Sequence, residues 1–368
     1  MPRAAFICDE ILWAGGHPPG HPLRPERLRE TWDMLQAYRA FDAPNTRVVA
    51  PRPPTEEELA TFHTRGYIDM VRRLSQGERG LDERRYNLGW GDNPIFAGMY
   101  ESEGLKVGSA LVAAELLLND EADIAFSFAG GLHHAGRDFA YGFCVFGDGA
   151  VAIQRMRAAG WRVAYVDIDA HHGDGVQAAF YDDPSVLTIS FHESGRFLFP
   201  GTGFTDELGD GAGFGYSVNI PLYPYTDDDT YLWAYDQVVP PLVKRFGPDV
   251  VVTQLGVDAH WRDPLTHLSL TTHGFEALFQ RLSQLCPRWL AVGGGGYDAA
   301  VVPRVWTLAW SVMSGQNLPN DLPGAIAAAY APPHLHDDTP APVSPSQKQE
   351  ARAVAEAVVG ELKKLLAF

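Results

Sequence analysis

Two short apolar runs in this chain end in clusters of metal-ligating side chains. The first, Arg162-Val163-Ala164-Tyr165-Val166, runs into Asp167-Ile168-Asp169-Ala170-His171-His172-Gly173-Asp174. The second, Asp249-Val250-Val251-Val252-Thr253, is followed closely by Gly256-Val257-Asp258. Runs rich in β-branched and aromatic residues read as strands, so in both places the polar residues begin where a strand ends. In an α/β protein that end is where ligands and chemistry collect. Side chains two apart on an extended chain share a face, so Asp169 and His171 can address one ion, with Asp258 as a third ligand. Two carboxylates and one imidazole, with a position left for water, suit a zinc-type hydrolytic site. Three acids and two histidines within eight residues are also costly to hold together unless a cation or hydrogen bonds offset them.

The alternation of strands and helices predicts an α/β class with an open, mostly parallel sheet and helices on both faces. Helical periodicity falls at residues 26–38, 55–74, 98–118, 149–159, 229–246, 272–285 and 300–313. Strand-like runs fall at 4–8, 124–126, 163–166, 186–190, 216–220, 250–254 and 289–292. The loops between them at 128–142, 192–215, 258–270 and 293–297 are long and glycine-rich, as functional loops are. The first 330 of the 368 residues show no repeat and no compositional break, and read as one catalytic domain. Residues 331–346 hold five prolines and read as an extended linker. Residues 347–368 return to helix, with Val354, Val358, Leu362 and Leu365 at helical spacing, and are expected to dock on the parent domain.

A net charge of -17 argues against nucleic acid as a partner, because phosphate affinity needs a basic face. It would draw histone-like or polyamine substrates instead. Cys8, Cys144 and Cys286 lie far apart with no CxxC pair, which points to a reducing compartment. Nothing at the N-terminus reads as a signal peptide. No stretch approaches the ~20 apolar residues of a membrane span, so a cytoplasmic protein without a membrane partner is expected.

Two further constellations carry chemistry. Gly130-Gly131-Leu132-His133-His134-Ala135-Gly136 follows a short strand. Neighbouring side chains on an extended chain diverge, so His133 and His134 suit two proton-transfer positions better than two metal ligands. Asp167 and Asp174 remain after ligand assignment and supply one orienting carboxylate for each ring. Gly293-Gly294-Gly295-Gly296-Tyr297 also follows a strand. It is no phosphate loop, since neither Lys-Ser/Thr nor GxGxxG spacing is present. A tyrosine held there can donate its hydroxyl to a developing oxyanion.

Together, Gly131-Leu132-His133-His134, Gly142-Phe143-Cys144, residues 167–176, Pro200-Gly201-Thr202-Gly203 and residues 293–297 resemble the zinc-dependent histone deacetylase family in order and spacing. His21-Pro22-Leu23-Arg24-Pro25-Glu26-Arg27 and residues 91–99 are most similar to its bacterial class I-like, acetoin-utilisation-type members. The resemblance covers about residues 5 to 330. It implies an arginase–deacetylase fold and a zinc hydrolase that removes acyl groups from amines, with ferrous iron as the alternative metal.

On this resemblance Asp169, His171 and Asp258 are the metal ligands. His134, with Asp174 beside it, is the general base, and His133, paired with Asp167, is the second histidine of the proton relay. Tyr297 polarises the scissile carbonyl. Asp92 anchors the substrate's backbone amides at the rim. Phe143, next to Gly142, and Phe199 wall an acyl-lysine tunnel, with Leu265 at its mouth. A structural potassium ion is implied at Asp167, the main-chain carbonyls of Asp169 and His171, and Ser190 with Phe191. A second monovalent site is implied near Phe180, Asp183, Val186 and Tyr216, and Arg27 lies by an internal cavity behind the metal.

Two positions depart from the family pattern. Gly147 stands where an asparagine is usual, which removes a buried amide near the site. Asp258 is followed by the bulky Ala259-His260-Trp261-Arg262, so His260 or Trp261 either narrows the mouth or packs on the surface. The expected substrate is acetylated protein lysine, with acetylpolyamine as the alternative, because no insertion narrows the entrance. A dinuclear manganese ureohydrolase would need an acid at position 256, where this chain has glycine. A non-catalytic metal-binding regulator would usually have lost a ligand, a histidine or the tyrosine, and all are present.

Overall fold

β-Branched and aromatic runs too short for helices build eight strands in the computed structural model, which describes the whole chain, Met1–Phe368. They are β1 (Ala4–Ile7), β2 (Thr46–Val49), β3 (Ile124–Ser127), β4 (Val163–Asp167), β5 (Val186–Glu193), β6 (Ser217–Leu222), β7 (Val250–Gln254) and β8 (Trp289–Val292). All neighbours pair in parallel, in the order β2-β1-β3-β8-β7-β4-β5-β6. Parallel strands need crossovers, and the crossovers place helices on both faces. Every strand except the edge strand β2 therefore buries both sets of side chains. In β4, Ala164 and Val166 enter one hydrophobic cluster while Val163 and Tyr165 enter the other. This is the open parallel sheet expected from the sequence.

Register matters most for function. Ser127 pairs with Val292, Val292 with Gln254, Gln254 with Asp167, and Asp167 with Ser190. The C-terminal ends of β3, β8, β7 and β4 are thus level and adjacent, with β5 alongside and running on to Glu193. Every loop with chemistry in it leaves the sheet along this one edge.

Several local expectations are corrected. Residues 55–74 form two helices, Glu56–Leu59 and Arg65–Ser75, because Thr64 turns out of helical geometry and caps the second through its side chain. The edge strand β2 is half-exposed without clean alternation, so periodicity does not reveal it. Asp174–Ala179 is a helix too short to show a helical period in the sequence. The terminal helix spans Pro345–Leu366, with Ser344 and Gln347 forming a capping box. Its buried stripe is Ala351, Ala355, Val358, Val359, Leu362 and Leu366, and Leu365 points outward. It lies against the helix Asp228–Phe246 and against β6, covering that sheet edge.

Residues 331–346 are not a free linker. Asp337 is buried between Arg304 (2.6 Å) and His260 (2.8 Å), and it accepts the Thr272 amide (3.0 Å). Arg304 also donates to the Leu335 carbonyl. Proline content marks an extended chain, but side-chain pairing from three distant segments fastens it. Burial alone would raise the Asp337 pKa. Its bonds to His260, Thr272 and Arg304 outweigh that and hold it well below the usual carboxylate range.

Asp337→Asn leaves Arg304 buried without a counter-charge, and a loss of about 3–5 kcal/mol of stability is expected. The folded carboxyl titrates below its unfolded value of ~3.9, so this contribution is complete above that pH and fades as pH falls through the folded pKa. Chemical denaturation of both proteins at neutral pH and at about pH 3 checks it. The gap is expected to shrink in acid, and a pH-independent gap contradicts the ion-pair assignment.

Candidate metal centre and catalytic site

Asp169, His171 and Asp258 come together fully inside the molecule, with one ligand atom from each within 4.8 Å of the others. His171 Nδ1 lies 3.0 Å from Asp169 Oδ1 and 3.0 Å from Asp258 Oδ2. The remaining carboxylate oxygens are already occupied. Asp169 Oδ2 accepts from Gln254 Nε2 (2.7 Å) and the Gly295 amide (2.8 Å). Asp258 Oδ1 accepts from the Ala170 amide (2.8 Å). His171 Nδ1, Asp169 Oδ1 (which also takes the His171 amide at 3.0 Å) and Asp258 Oδ2 therefore face one another, an arrangement that fits a single divalent cation.

The charges fit as well. Burial disfavours both carboxylates, and Asp169 repels Asp258, whose pKa is pushed up. Burial also disfavours protonated His171, yet its bonds to Asp169 and Asp258 drive its pKa well above the usual value. Asp169 stays ionised beside the charged His133 and His171, so this buried set draws positive charge to itself, and a metal ion would supply it.

Two glycines make the set possible. A Cβ at Gly256 would sit 2.2 Å from Asp169 Oδ2, and one at Gly295 would sit 2.1 Å from Asp258 Oδ2. Neither has left-handed backbone, so close approach of the ligands, rather than a turn, requires glycine there. Gly256 also leaves no acid for a second metal on β7.

His133 and His134 do not diverge. They lie in a tight turn after β3, and their Nε2 atoms are 3.0 Å apart. His133 Nδ1 bonds Asp167 Oδ2 (2.8 Å) and His134 Nδ1 bonds Asp174 Oδ1 (2.6 Å), one carboxylate for each ring. His133 Nε2 is 3.9 Å from Asp169 Oδ1, so both ring nitrogens face the metal set. Burial lowers the His134 pKa, and adjacent His133 adds to the effect, to about 4. Burial opposes charge on His133 too, but Asp167 and Asp169 raise its pKa to about 9. The two neighbouring rings are thus tuned in opposite directions.

Tyr297 lines the same narrow cavity as both histidines, Asp169, His171 and Phe143. Phe143 meets Tyr297 at 5.8 Å between ring centroids, while Phe199 meets His134 at 5.1 Å. The two phenylalanines thus pack on different members of the site, Phe143 on Tyr297 and Phe199 on His134 and His171. Gly142 lies between them, with no room for a Cβ against His134 and Phe199. Asp92 is exposed, and its carbonyl accepts from His21, which packs on Phe143. Leu265 is 37% exposed. Arg27 is buried and donates to the carbonyls of Gly294 and Gly296.

The family departures resolve physically. Gly147 donates its amide to His63 Nε2 (3.0 Å), and the Phe62 ring fills the space a side chain would take. Asp148 still accepts the amides of Gly131 and Leu132 and shapes the histidine turn. His260 is buried against Asp337, away from the mouth, and Trp261 is half-buried beside it. Sequence reasoning missed Gln254, Tyr165, whose hydroxyl donates to Asp167 (2.7 Å), and Asp263, which accepts the Tyr297 amide (2.8 Å). A polar residue closing a β-branched strand was the one available signal, and only for Gln254.

Asp167 and Ser190 lie side by side across β4 and β5, with Phe191 buried next along. Asp183 is paired with the Arg157 guanidinium, which also lies over the Phe180 ring.

Comparison with known proteins agrees with this geometry. Residues 21–313 match the model of the histone deacetylase domain. The chain belongs to the histone deacetylase family. It is 46% identical over 312 residues to the acetoin utilization protein AcuC of Bacillus subtilis, covering 82% of this chain and 80% of that one. It is 38% identical over 315 residues to AcuC of Staphylococcus aureus, covering 83% and 80%. The crystal structure of a histone deacetylase homolog from Aquifex aeolicus superposes with a TM-score of 0.88 at 31% identity, over 97% of this chain and all of that one. This member of the acetoin-utilisation branch is accordingly a deacetylase-type hydrolase. No helix is long and apolar enough to cross a membrane.

Gly256→Ala is expected to displace Asp169 and weaken metal binding by at least ~10-fold while the fold is kept. Zinc titration with a competing chelator, alongside circular dichroism, measures this. Unchanged affinity would remove the close-approach argument.

Proposed function

We propose that this protein hydrolyses the acetyl amide of acetyl-lysine in proteins or peptides at one divalent metal, zinc by preference, held by Asp169, His171 and Asp258. The observation that carries the reading is convergence. Two carboxylate-oriented histidines and Tyr297 line one cavity with Asp169, His171 and Phe143, and Phe199 packs on His134. A bound ion there polarises the amide carbonyl and acidifies water.

The protein's own groups do the rest. Asp174 holds the His134 Nδ1 proton, which leaves Nε2 free to take a proton from water. The His133–Asp167 pair lies beside it and returns a proton to the leaving amine. The Tyr297 hydroxyl donates to the carbonyl oxygen as negative charge develops there. Phe143 and Phe199 favour the apolar stem of a neutral acyl-lysine over a free ammonium, which would lose its hydration. Exposed Asp92 offers a carboxylate to substrate backbone amides. Asp167, Ser190 and Phe191 support a structural potassium site beneath the ligands. Three unpaired thiols support a reducing compartment, the cytoplasm.

Tyr297→Phe is expected to lower kcat by about 10²-fold or more with the fold intact. His134→Ala is expected to abolish turnover while one equivalent of metal stays bound, and metal loss would instead make His134 a ligand. A panel of acetyl-lysine peptides and acetylpolyamines, run on metal-analysed enzyme, tests the substrate. Exclusive polyamine turnover would overturn the lysine assignment in favour of the alternative.

A further inference from the structure

Tyr297 ends a run of four glycines, two of them in backbone conformations that L side chains rarely adopt. The close packing of Asp169 and Asp258 demands part of that run, and glycines offer no side chains to anchor the residues after them. The Tyr297–Asp298 dipeptide is instead tied to the loop after β7, which carries Asp258. Buried Asp263 accepts the Tyr297 amide through Oδ2 and the Leu265 amide through Oδ1. Arg262 pairs with Asp298 at 3.1 Å between Nε and Oδ2.

Arg262 is itself held from two sides. Its amide donates to His260 Nδ1 (3.2 Å), and its guanidinium donates to the Ala331 carbonyl (3.3 Å). His260 is in turn bonded to Asp337. A continuous chain of contacts thus runs from residues 331–337 through His260 and Arg262 to the residue beside the catalytic phenol. The pair is about one-third exposed on the arginine side, where an ion pair adds little to folding stability. Its geometric consequence is larger, because a misplacement of about 1 Å in a catalytic group can cost ~10²-fold in rate.

We propose that Arg262 is a positioning residue: its pairing with Asp298, braced by the segment after residue 330, sets the Tyr297 hydroxyl over the metal site. This rests on the oxyanion role assigned to Tyr297 above. Asp298 also caps the following turn, accepting the Ala300 amide (2.9 Å), so Arg262 is the cleaner residue to change.

The test is a double-mutant cycle of Arg262→Ala and Tyr297→Phe on full-length, metal-loaded enzyme with an acetyl-lysine peptide. Arg262→Ala alone is expected to lower kcat by about ten-fold or more, with KM within about two-fold. Bound metal stays at one equivalent, and Tm moves by no more than about 2 °C. In the Tyr297→Phe background the same change is expected to have almost no further effect. Arg262→Lys, which keeps the charge, is expected to recover most of the loss. Peptides covering residues 293–301 are expected to exchange amide hydrogens faster in Arg262→Ala than in the wild type. A full ten-fold loss persisting without the tyrosine hydroxyl would place the action of Arg262 elsewhere and overturn the proposal. So would unchanged kcat, or a raised KM alone. Wild-type turnover by Tyr297→Phe itself is a separate result, one that defeats the oxyanion role and, with it, the positioning role.

Discussion

The Asp169 carboxylate is the joint on which the rest of the site depends. Its Oδ2 is held by Gln254 at the end of β7 and by the Gly295 amide after β8. Its Oδ1 faces His171 after β4 and lies 3.9 Å from His133 after β3. Four neighbouring strands thus contribute to one buried anion. Such an anion is stable only where donors and cations surround it, so the level register of the strand ends is a precondition for the chemistry. Glycine at 256 and 295 is required by the same crowding.

From that joint the working groups are arranged by their second atoms. Each histidine is aimed by the carboxylate on its Nδ1. Asp167 is fixed by Tyr165, and Asp258 by the Ala170 amide. Tyr297 is tied through its amide to Asp263. Their other atoms are turned toward one another, the two Nε2 atoms meeting at 3.0 Å and His171 Nδ1 meeting Asp169 Oδ1 and Asp258 Oδ2. This is preorganisation by hydrogen bonding from outside the reacting centre. It extends as far as Asp337, in a stretch whose proline content alone suggests a tether.

Different parts of this arrangement are legible to different degrees. Asp169 and His171 can be read because two residues on one strand share a face, which is a local property. Asp258 can be read because it too closes an apolar run. His133 and His134 are recognisable with their carboxylates, but an extended chain is expected where the protein has a turn, so the convergence of their Nε2 atoms is not foreseen. Asp263 and Arg262 give no local signal of their roles, and Gln254 gives only that of a polar residue closing a β-branched strand. Each works through a partner outside its own segment, as with the 85 residues between Gln254 and Asp169. The half-exposed β2 and the break at Thr64 escape for a related reason, since both are set by neighbouring packing more than by periodicity.

By itself, then, the sequence determined which ligand-type side chains follow the strands, the strands apolar on both faces that require a covered parallel sheet, and the family whose motifs the chain carries. These depend on side-chain identity and on the two-residue repeat of a strand, which are written in consecutive residues. Tertiary structure decided the strand order, the levelling of four strand ends, the meeting of the two imidazoles, and the fastening of Tyr297 to the loop after β7 and to the chain beyond residue 330. Those features arise from hydrogen bonds and packing between segments far apart in the chain. Their energies depend on which surfaces meet, and no run of neighbouring residues encodes that.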